Sequence, residues 1–423
     1  MIDKNIDGKQ MLSFRIPWKR LGSAAASQQY AMELTHPLYR YPAMMSPYIA
    51  RILIQNLTQP GDIILDPFCG GGTTAIEALS NGRNVICSDL NPLACFVTRA
   101  KATPLNSKEI LTLKKWVCSA QILLHNWRNI HPIQIPQIDR PFVAPKTRSL
   151  IYLLKDTTVK IKNAAVRHAA MLLILRIAQL SFDASRKSPS PLRLVKLFDK
   201  YSNDMIRKMQ FYSSLCNSRG MYKRPLFLDV IKSDANNLNQ THFGINRDRI
   251  SLILTSPPYP GVHVLYHRWQ IDGRKETSLP YEILGIHNGF GPSHFTLGPR
   301  HDDFNEQYFQ RLIEIYARLR NNISHDFIVA QIVAFPKPQY QLNQFRSAMN
   351  KAGYLELNNF NNNKSIVREV PHRRWYTYFS PCNGSSKEFL LLHHPKRFDG
   401  GFEITSDSQF RLWTKTLQGF RRR

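Results

Sequence analysis

The chain has 423 residues, 43% of them hydrophobic, enough to bury a large core and more than most single domains hold, so one large domain with an insertion, or two domains, is expected. Lys and Arg number 57 against 30 Asp and Glu, a formal charge of +27, and such a field attracts polyanions, with nucleic acid first among them. A generally basic soluble protein, or one that sits on an anionic membrane surface, is the plain alternative; the longest apolar run, AAMLLILRIAQL, is broken by Arg176, and no run reaches the roughly 18 residues of a spanning helix.

The opening MIDKNIDGKQ carries no apolar signal region. From residue 36 to about 100 the pattern reads helix, strand, glycine loop, helix, strand. SPYIARILIQNLTQPGD places Ile49, Leu53, Ile54 and Leu57 on one helical face and closes on Pro60 and Gly61. IILD then reads as a short strand, PFCGGG as an irregular loop, TTAIEALSNG as a helix ending at Gly82, and NVICSD as a second strand. This is half of a doubly wound α/β sheet of the nucleotide-binding kind.

Residues 104 to about 222 break that rhythm with long helical patterns, separated by the Pro-rich IHPIQIPQIDRPFVAPK and by DASRKSPSP. They read as an inserted, mostly helical subdomain. The sheet resumes with FLDVIKSDANNL and RISLILTSPPYPG, then the helix DDFNEQYFQRLIEIYARLRNN, the strand FIVAQIVAF, the helix QLNQFRSAMNKAGY and the strand KEFLLLHH. Six cysteines stand singly at positions 69, 87, 95, 118, 216 and 382 with no CxxC pair, so no zinc ribbon, disulfide framework or metal is expected.

In LDPFCGGGTT the glycines 70, 71 and 72 let the backbone turn sharply and approach a ligand that any Cβ would push away. A glycine loop between strand and helix usually means phosphate, yet this one lacks the Lys-Ser/Thr of a P-loop and does not spell GxGxxG. Asp66 at the strand end would repel a phosphate and suits a ligand with positive charge. Asp89, about 20 residues on at the end of the second strand, stands where a carboxylate takes both hydroxyls of a ribose. A zwitterionic nucleoside fits better than a dinucleotide. The plain structural reading is a tight turn that packs helix on strand.

LDPFCGGGTT resembles the S-adenosyl-L-methionine loop of the DNA amino-methyltransferases, and TSPPY resembles their catalytic bracket. HPLYRYPAMMSPYIARIL is similar to the family's segment that closes over the methionine end of the cofactor, and Asp234 in VIKSDANNL to an acid near the adenine amino group. The resemblance covers roughly residues 36–100 and 225–395; Gly71 stands where the family more often has Ser. It implies a Rossmann-like class I methyltransferase sheet with a mostly helical insertion. The catalytic domain then takes residues 30–103 and 223–398, the helical basic insertion 104–222, and a basic tail 399–423. It also implies that Asp66, Phe68, Cys69, Gly70, Gly72, Thr73, Thr74, Asp89 and Asp234 hold the cofactor.

The bracket Ser256, Pro257, Pro258, Tyr259 has a chemical logic. An exocyclic amine is a poor nucleophile because its lone pair is delocalised into the ring, and acceptors aimed at its hydrogens favour the pyramidal nitrogen that attacks. The Ser256 hydroxyl and the Pro257 carbonyl are the candidates, held by two prolines of fixed φ. Tyr259 is expected to stack on a base flipped out of double-stranded DNA, since a paired amine is unreachable. No metal and no covalent intermediate is required. Alone, SPPY is equally a strand-ending turn. Within the family Ser at the head is more often seen in cytosine-N4 enzymes, so N4-methylcytosine is the expected product and N6-methyladenine the runner-up. An RNA amino-methyltransferase and a non-catalytic nucleic-acid-binding protein are further alternatives.

VHVLYHRWQIDGRKET reads as a loop bringing His263, Arg268, Trp269, Arg274 and Lys275 to the flipped nucleotide or its phosphates, and REVPHRRWYTY adds Arg368, Arg373 and Arg374. A solvated loop with one packed Trp, and a surface strand, are the plain readings. The basic insertion is the natural candidate for target recognition. The resemblance implies a cytoplasmic, nucleoid-associated bacterial or archaeal enzyme of restriction-modification type, with a cognate restriction endonuclease as partner and no membrane.

Overall fold

The structure, a computed structural model, describes residues 3–4, 10–11, 16–26, 33–41, 44–131, 145–183, 189–219, 225–244, 249–260, 269–271, 274–287, 297, 306–323, 326–357, 366–370 and 386–396. Helix α1 (Pro47–Leu57) starts on a proline, whose missing N–H costs nothing at a helix start, and buries Ile49, Leu53, Ile54 and Leu57 as its periodicity predicts. Strand β1 (Ile63–Asp66) is buried throughout. Helix α2 (Thr73–Ser80) follows, then strand β2 (Asn84–Asp89) and helix α3 (Pro92–Ala102). Asn91 caps α3 by accepting from the Leu93 N–H.

Four helices follow: α4 (Ser107–His125), opened by a capping box of Asn106 and Glu109, α5 (Pro145–Val159), α6 (Ala164–Phe182) and α7 (Pro191–Arg219). Helix α6 is buried on nearly every side. Here the structure corrects the expectation drawn from Arg176. The helix runs 19 residues with a mean hydropathy of 1.3, long and apolar enough to cross a membrane by those two measures, although 72% of its apolar window is buried inside the protein. Arg176 interrupts the apolar run without ending the helix, and its guanidinium donates to Gln179 Oε1 (2.7 Å) and lies over the Tyr201 ring.

The sheet resumes with β3 (Leu228–Lys232), β4 (Ile250–Thr255) and, after helix α8 (Glu306–Asn322), β5 (Ile328–Ala334). Helix α9 (Pro338–Lys351) leads to β6 (Tyr354–Glu356), β7 (Ile366–Val370) and β8 (Ser386–Pro395). The strand order is β6-β8-β5-β4-β1-β2-β3, with β7 paired to β8. Strands β3, β2, β1, β4 and β5 run parallel, and β8 is antiparallel to β5. The architecture is a Rossmann-like α/β sheet. Its chain order reverses between β1 and β4, which opens a crevice at their carboxyl ends.

Several elements escaped the sequence pattern. Helix Trp18–Ala26 packs against β7, and residues read as a loop form the hairpin Trp269–Ile271 with Arg274–Thr277. The helices after residue 104 do not keep a core to themselves. Apolar residues of α4 to α7 share one cluster with Leu93 and Val97 of α3, with Tyr39 and Tyr41, and with Trp269 and Tyr281.

Candidate active site

Because β1 and β4 are parallel neighbours, the segments leaving their carboxyl ends meet over one cleft. It encloses about 930 Å³, its open mouth included, and is lined by Asp66, Phe68, Cys69, Gly70, Gly71 and Thr73 from the glycine loop and by Ser256 and Pro258 from the bracket. Asp89, Asn91, Asp234 and Ala235 close one side, and Tyr41, Met44 and Met45 another. Of the cofactor and bracket residues singled out in the sequence, Gly72, Thr74, Pro257 and Tyr259 are not part of this lining.

The loop is held by its own chemistry. Gly72 caps α2 in the left-handed region (φ 79°), where an added Cβ would stand 3.0 Å from the Thr98 Cα. At Gly71 a Cβ would meet the Tyr41 Cβ at 2.9 Å, so the Ser more usual at this place has no room here. Asp89 accepts the Gly70 N–H (2.9 Å) and the Asn91 N–H (2.9 Å), tying loop to second strand. Asp66 accepts from the Thr255 hydroxyl (2.6 Å) and the Phe68 N–H (3.1 Å), tying β1 to β4. Burial pushes both carboxyls up to about 6, above the usual carboxylate range. Thr74 donates to the Leu254 carbonyl (3.1 Å), a brace between α2 and β4. The Cys69 thiol is buried and raised well above its ordinary value by its hydrogen bond with Cys87 and by desolvation, which makes it an inert part of the wall.

Below the loop sits a charged knot. Glu77 of α2 is fully buried, with its carboxylate against His36 Nε2 (2.8 Å) and Arg51 Nε (2.8 Å). Burial alone would raise Glu77, but the hydrogen bonds from His36 and Arg51 outweigh it and hold it below the usual range. The knot fixes α2 to α1 and to the segment before it.

In the bracket, Ser256 Oγ donates to the Ile332 carbonyl (2.8 Å) and lies 3.2 Å from the Tyr259 hydroxyl. With its proton committed to Ile332 it faces other partners as an acceptor. Tyr259 is 8% exposed.

The expected nucleic-acid residues fare unevenly. Trp269 is 1% exposed, donates to the Tyr39 hydroxyl (3.2 Å) and packs among the helices, so it presents no face to a ligand. Its burial follows from the apolar wall that α6 supplies. Arg368 pairs with Glu388 (3.0 Å) across β7 and β8 instead of standing free. His263, Arg268, Arg373 and Arg374 lie outside the described residues; Arg274 and Lys275 sit in the hairpin's second strand. Sequence reasoning did not pick Tyr41, Asn91 or Arg311 individually, although Tyr41 lies in the segment HPLYRYPAMM it had noticed. Asn91 joins the two sides of the site: its carbonyl accepts from Tyr281 (2.9 Å), and its amide reaches toward the Tyr41 hydroxyl (3.4 Å).

Residues 16–98 match the family model described as DNA methylase. Over 115 residues the chain is 36% identical to the type II methyltransferase M.MvaI of Kocuria varians, covering 26% of this chain and 25% of that one. Over 113 residues it is 28% identical to the type II methyltransferase M.MjaII of Methanocaldococcus jannaschii, covering 27% of this chain and 21% of that one. The matches thus span about a quarter of each curated relative. Among solved structures, the rRNA methyltransferase aviRa from Streptomyces viridochromogenes aligns over 74% of this chain and 82% of its own at 10% identity and a TM-score of 0.27, too slight a likeness to carry an argument.

Proposed function

We propose, for a chain related through residues 16–98 to the DNA amino-methyltransferases, that it transfers a methyl group to the exocyclic N4 of cytosine in double-stranded DNA, within a restriction-modification system. The observation that carries the proposal is that the bracket residues Ser256 and Pro258 line the same cleft as Asp66, Gly70 and Asp89. A donor site and an amine site within one cleft are what a direct transfer needs.

The family implies S-adenosylmethionine as methyl donor. The cleft fits it. Two buried carboxyls, each raised to about 6 by desolvation, leave it short of positive charge, which a ligand carrying a sulfonium and an ammonium supplies. The glycine loop leaves no space for a Cβ beside Tyr41, so its backbone packs directly on the segment that lines the other side of the cleft. Asp66, Asp89, Gly70 and Asp234 are the residues that would hold it, and the bound donor supplies an electrophilic methyl group.

Ser256 Oγ and the Pro257 carbonyl accept from the target amine. Ser256 is prepared for that role because Ile332 takes its proton. Tyr259 braces Ser256 through its hydroxyl and, buried just behind the lining, stacks on the flipped base through its ring once the bracket opens to admit that base. The test is mass spectrometry of DNA digested from cells expressing the protein. N4-methylcytosine is expected; N6-methyladenine alone would reassign the base, and the absence of any methylated amine in DNA would overturn the function.

A further inference from the structure

Lys101, in the last turn of α3, is fully buried, and its ammonium donates to the carbonyl of Gly71 (2.8 Å). One turn earlier Thr98 donates to the carbonyl of Gly70 (3.2 Å). Two successive carbonyls of the glycine loop are thus held by side chains three residues apart on one helix face, so α3 turns both toward itself. A buried ammonium is costly unless something compensates it, and among the described residues no carboxylate does. The charged groups that face it are Arg176 of α6, also positive, and His36, from the turn before α1. Burial lowers His36 from its ordinary value against the pull of Glu77, so it is neutral at pH 7, and Arg51 balances Glu77. Retaining an uncompensated cation under the most constrained part of the cleft points to a role in the cleft.

We infer that Lys101 is a positioning residue for the methyl donor: as an ammonium it holds the Gly71 peptide in the shape the donor requires, so donor affinity follows its protonation. The inference rests on S-adenosylmethionine binding in this cleft and is independent of which base is methylated. Burial, and then Arg176, pull Lys101 down to about 7, so its proton is lost over the ordinary working range. The neutral amine still donates to Gly71, but more weakly. Asp66 and Asp89, pushed up to about 6 by burial, shape the acid side of the profile.

Titration calorimetry of S-adenosylmethionine into the full chain tests this, with wild type, Lys101→Met and Lys101→Gln compared from pH 6.5 to pH 9. At pH 6.5 Lys101→Met should bind about tenfold more weakly than wild type, the effect of losing one charge-assisted hydrogen bond. The ratio of the two affinities should shrink toward one by pH 9, and the ligand's own titration cancels from that ratio. Lys101→Gln, which keeps one N–H for Gly71 without the charge, should fall between them at pH 6.5. Both ligand-free variants should melt at or above the wild-type temperature, because each removes a buried charge. A ratio of one at pH 6.5, or a ratio constant across the range, overturns the inference; so does a lowered melting temperature, which would make Lys101 a structural prop. Binding by none of the three proteins at any pH would instead remove the donor from the cleft.

Discussion

At Asp66 the two demands on a candidate active-site residue oppose each other. Its carboxyl is buried and held at about 6 against an ordinary 3.8. A group raised in this way contributes stability that is full below its unfolded value and lost as pH rises through the folded one, so Asp66 weakens the ligand-free fold above pH 6 and not at pH 3. Asp66→Asn keeps an oxygen for Thr255 and Phe68 while removing the charge. The ligand-free variant should therefore be more stable than wild type by about 2 to 3 kcal/mol at pH 7.5, with the advantage gone by pH 3, and should bind S-adenosylmethionine at least tenfold more weakly. Denaturant melts at the two pH values check it, and an advantage independent of pH would falsify the account. At Ser256 the opposite pattern is expected: Ser256→Ala should leave donor affinity alone and lower turnover roughly a hundredfold, as measured by single-turnover methyl transfer. Tyr259→Phe keeps the ring and loses only the brace on Ser256, so it should fall between wild type and Ser256→Ala. Asp66, Asp89 and the bracket were legible in the sequence because each sits at the end of an apolar run. Lys101 and Asn91 were not, since their roles depend on which loop carbonyl or tyrosine a helix end meets in space.

Among the elements, α2 and its glycine cap follow from the sequence, but what anchors them does not. Glu77 reads as an ordinary polar position on an amphipathic helix. In the structure it is fully buried and joins Arg51 of α1 to His36, residues 26 and 41 positions away. Removing one partner of a buried ion pair strands the others, so Glu77→Gln should cost about 3 to 5 kcal/mol and lower the melting temperature, with donor binding restored where the fold survives. A change within 1 kcal/mol would show the knot to be dispensable. The same distinction explains Trp269, whose neighbours in sequence suggested a nucleic-acid loop. Period-two patterning across three residues is too short to announce a hairpin, and the wall it packs on comes from α6. At the start of α7, Arg193, Lys196 and Lys200, one or two turns apart, flank a groove with Leu192 and Leu197 and are expected to meet phosphate. Replacing all three with Gln should lower the slope of log affinity for DNA against log salt by about 1 for each side chain that meets a phosphate. An unchanged slope would move the DNA to another face.

For the whole molecule the question is whether the helices after residue 104 form a separable module. Composition and rhythm suggested an insertion over residues 104–222. Packing contradicts independence, because Leu93 and Val97 of α3, Tyr39, Tyr41, Trp269 and Tyr281 share one apolar cluster with α4 to α7. Excising the helices would expose that face of α3, which also carries Thr98 and Lys101 against the glycine loop. A shared core couples the helices to the cleft, and ligand at a hundredfold excess over its dissociation constant stabilises whatever unfolds with the site by about 2.7 kcal/mol. Thermal unfolding followed by far-ultraviolet circular dichroism, to which α4 to α7 contribute much of the signal, should therefore move upward with S-adenosylmethionine in step with tryptophan fluorescence. Trp116 and Trp127 report from the helices and Trp269 from their junction with the sheet. A helical transition that stays fixed while the fluorescence transition moves would mean that the helices melt on their own, and the wiring through α3 would then carry no free energy between them and the cleft.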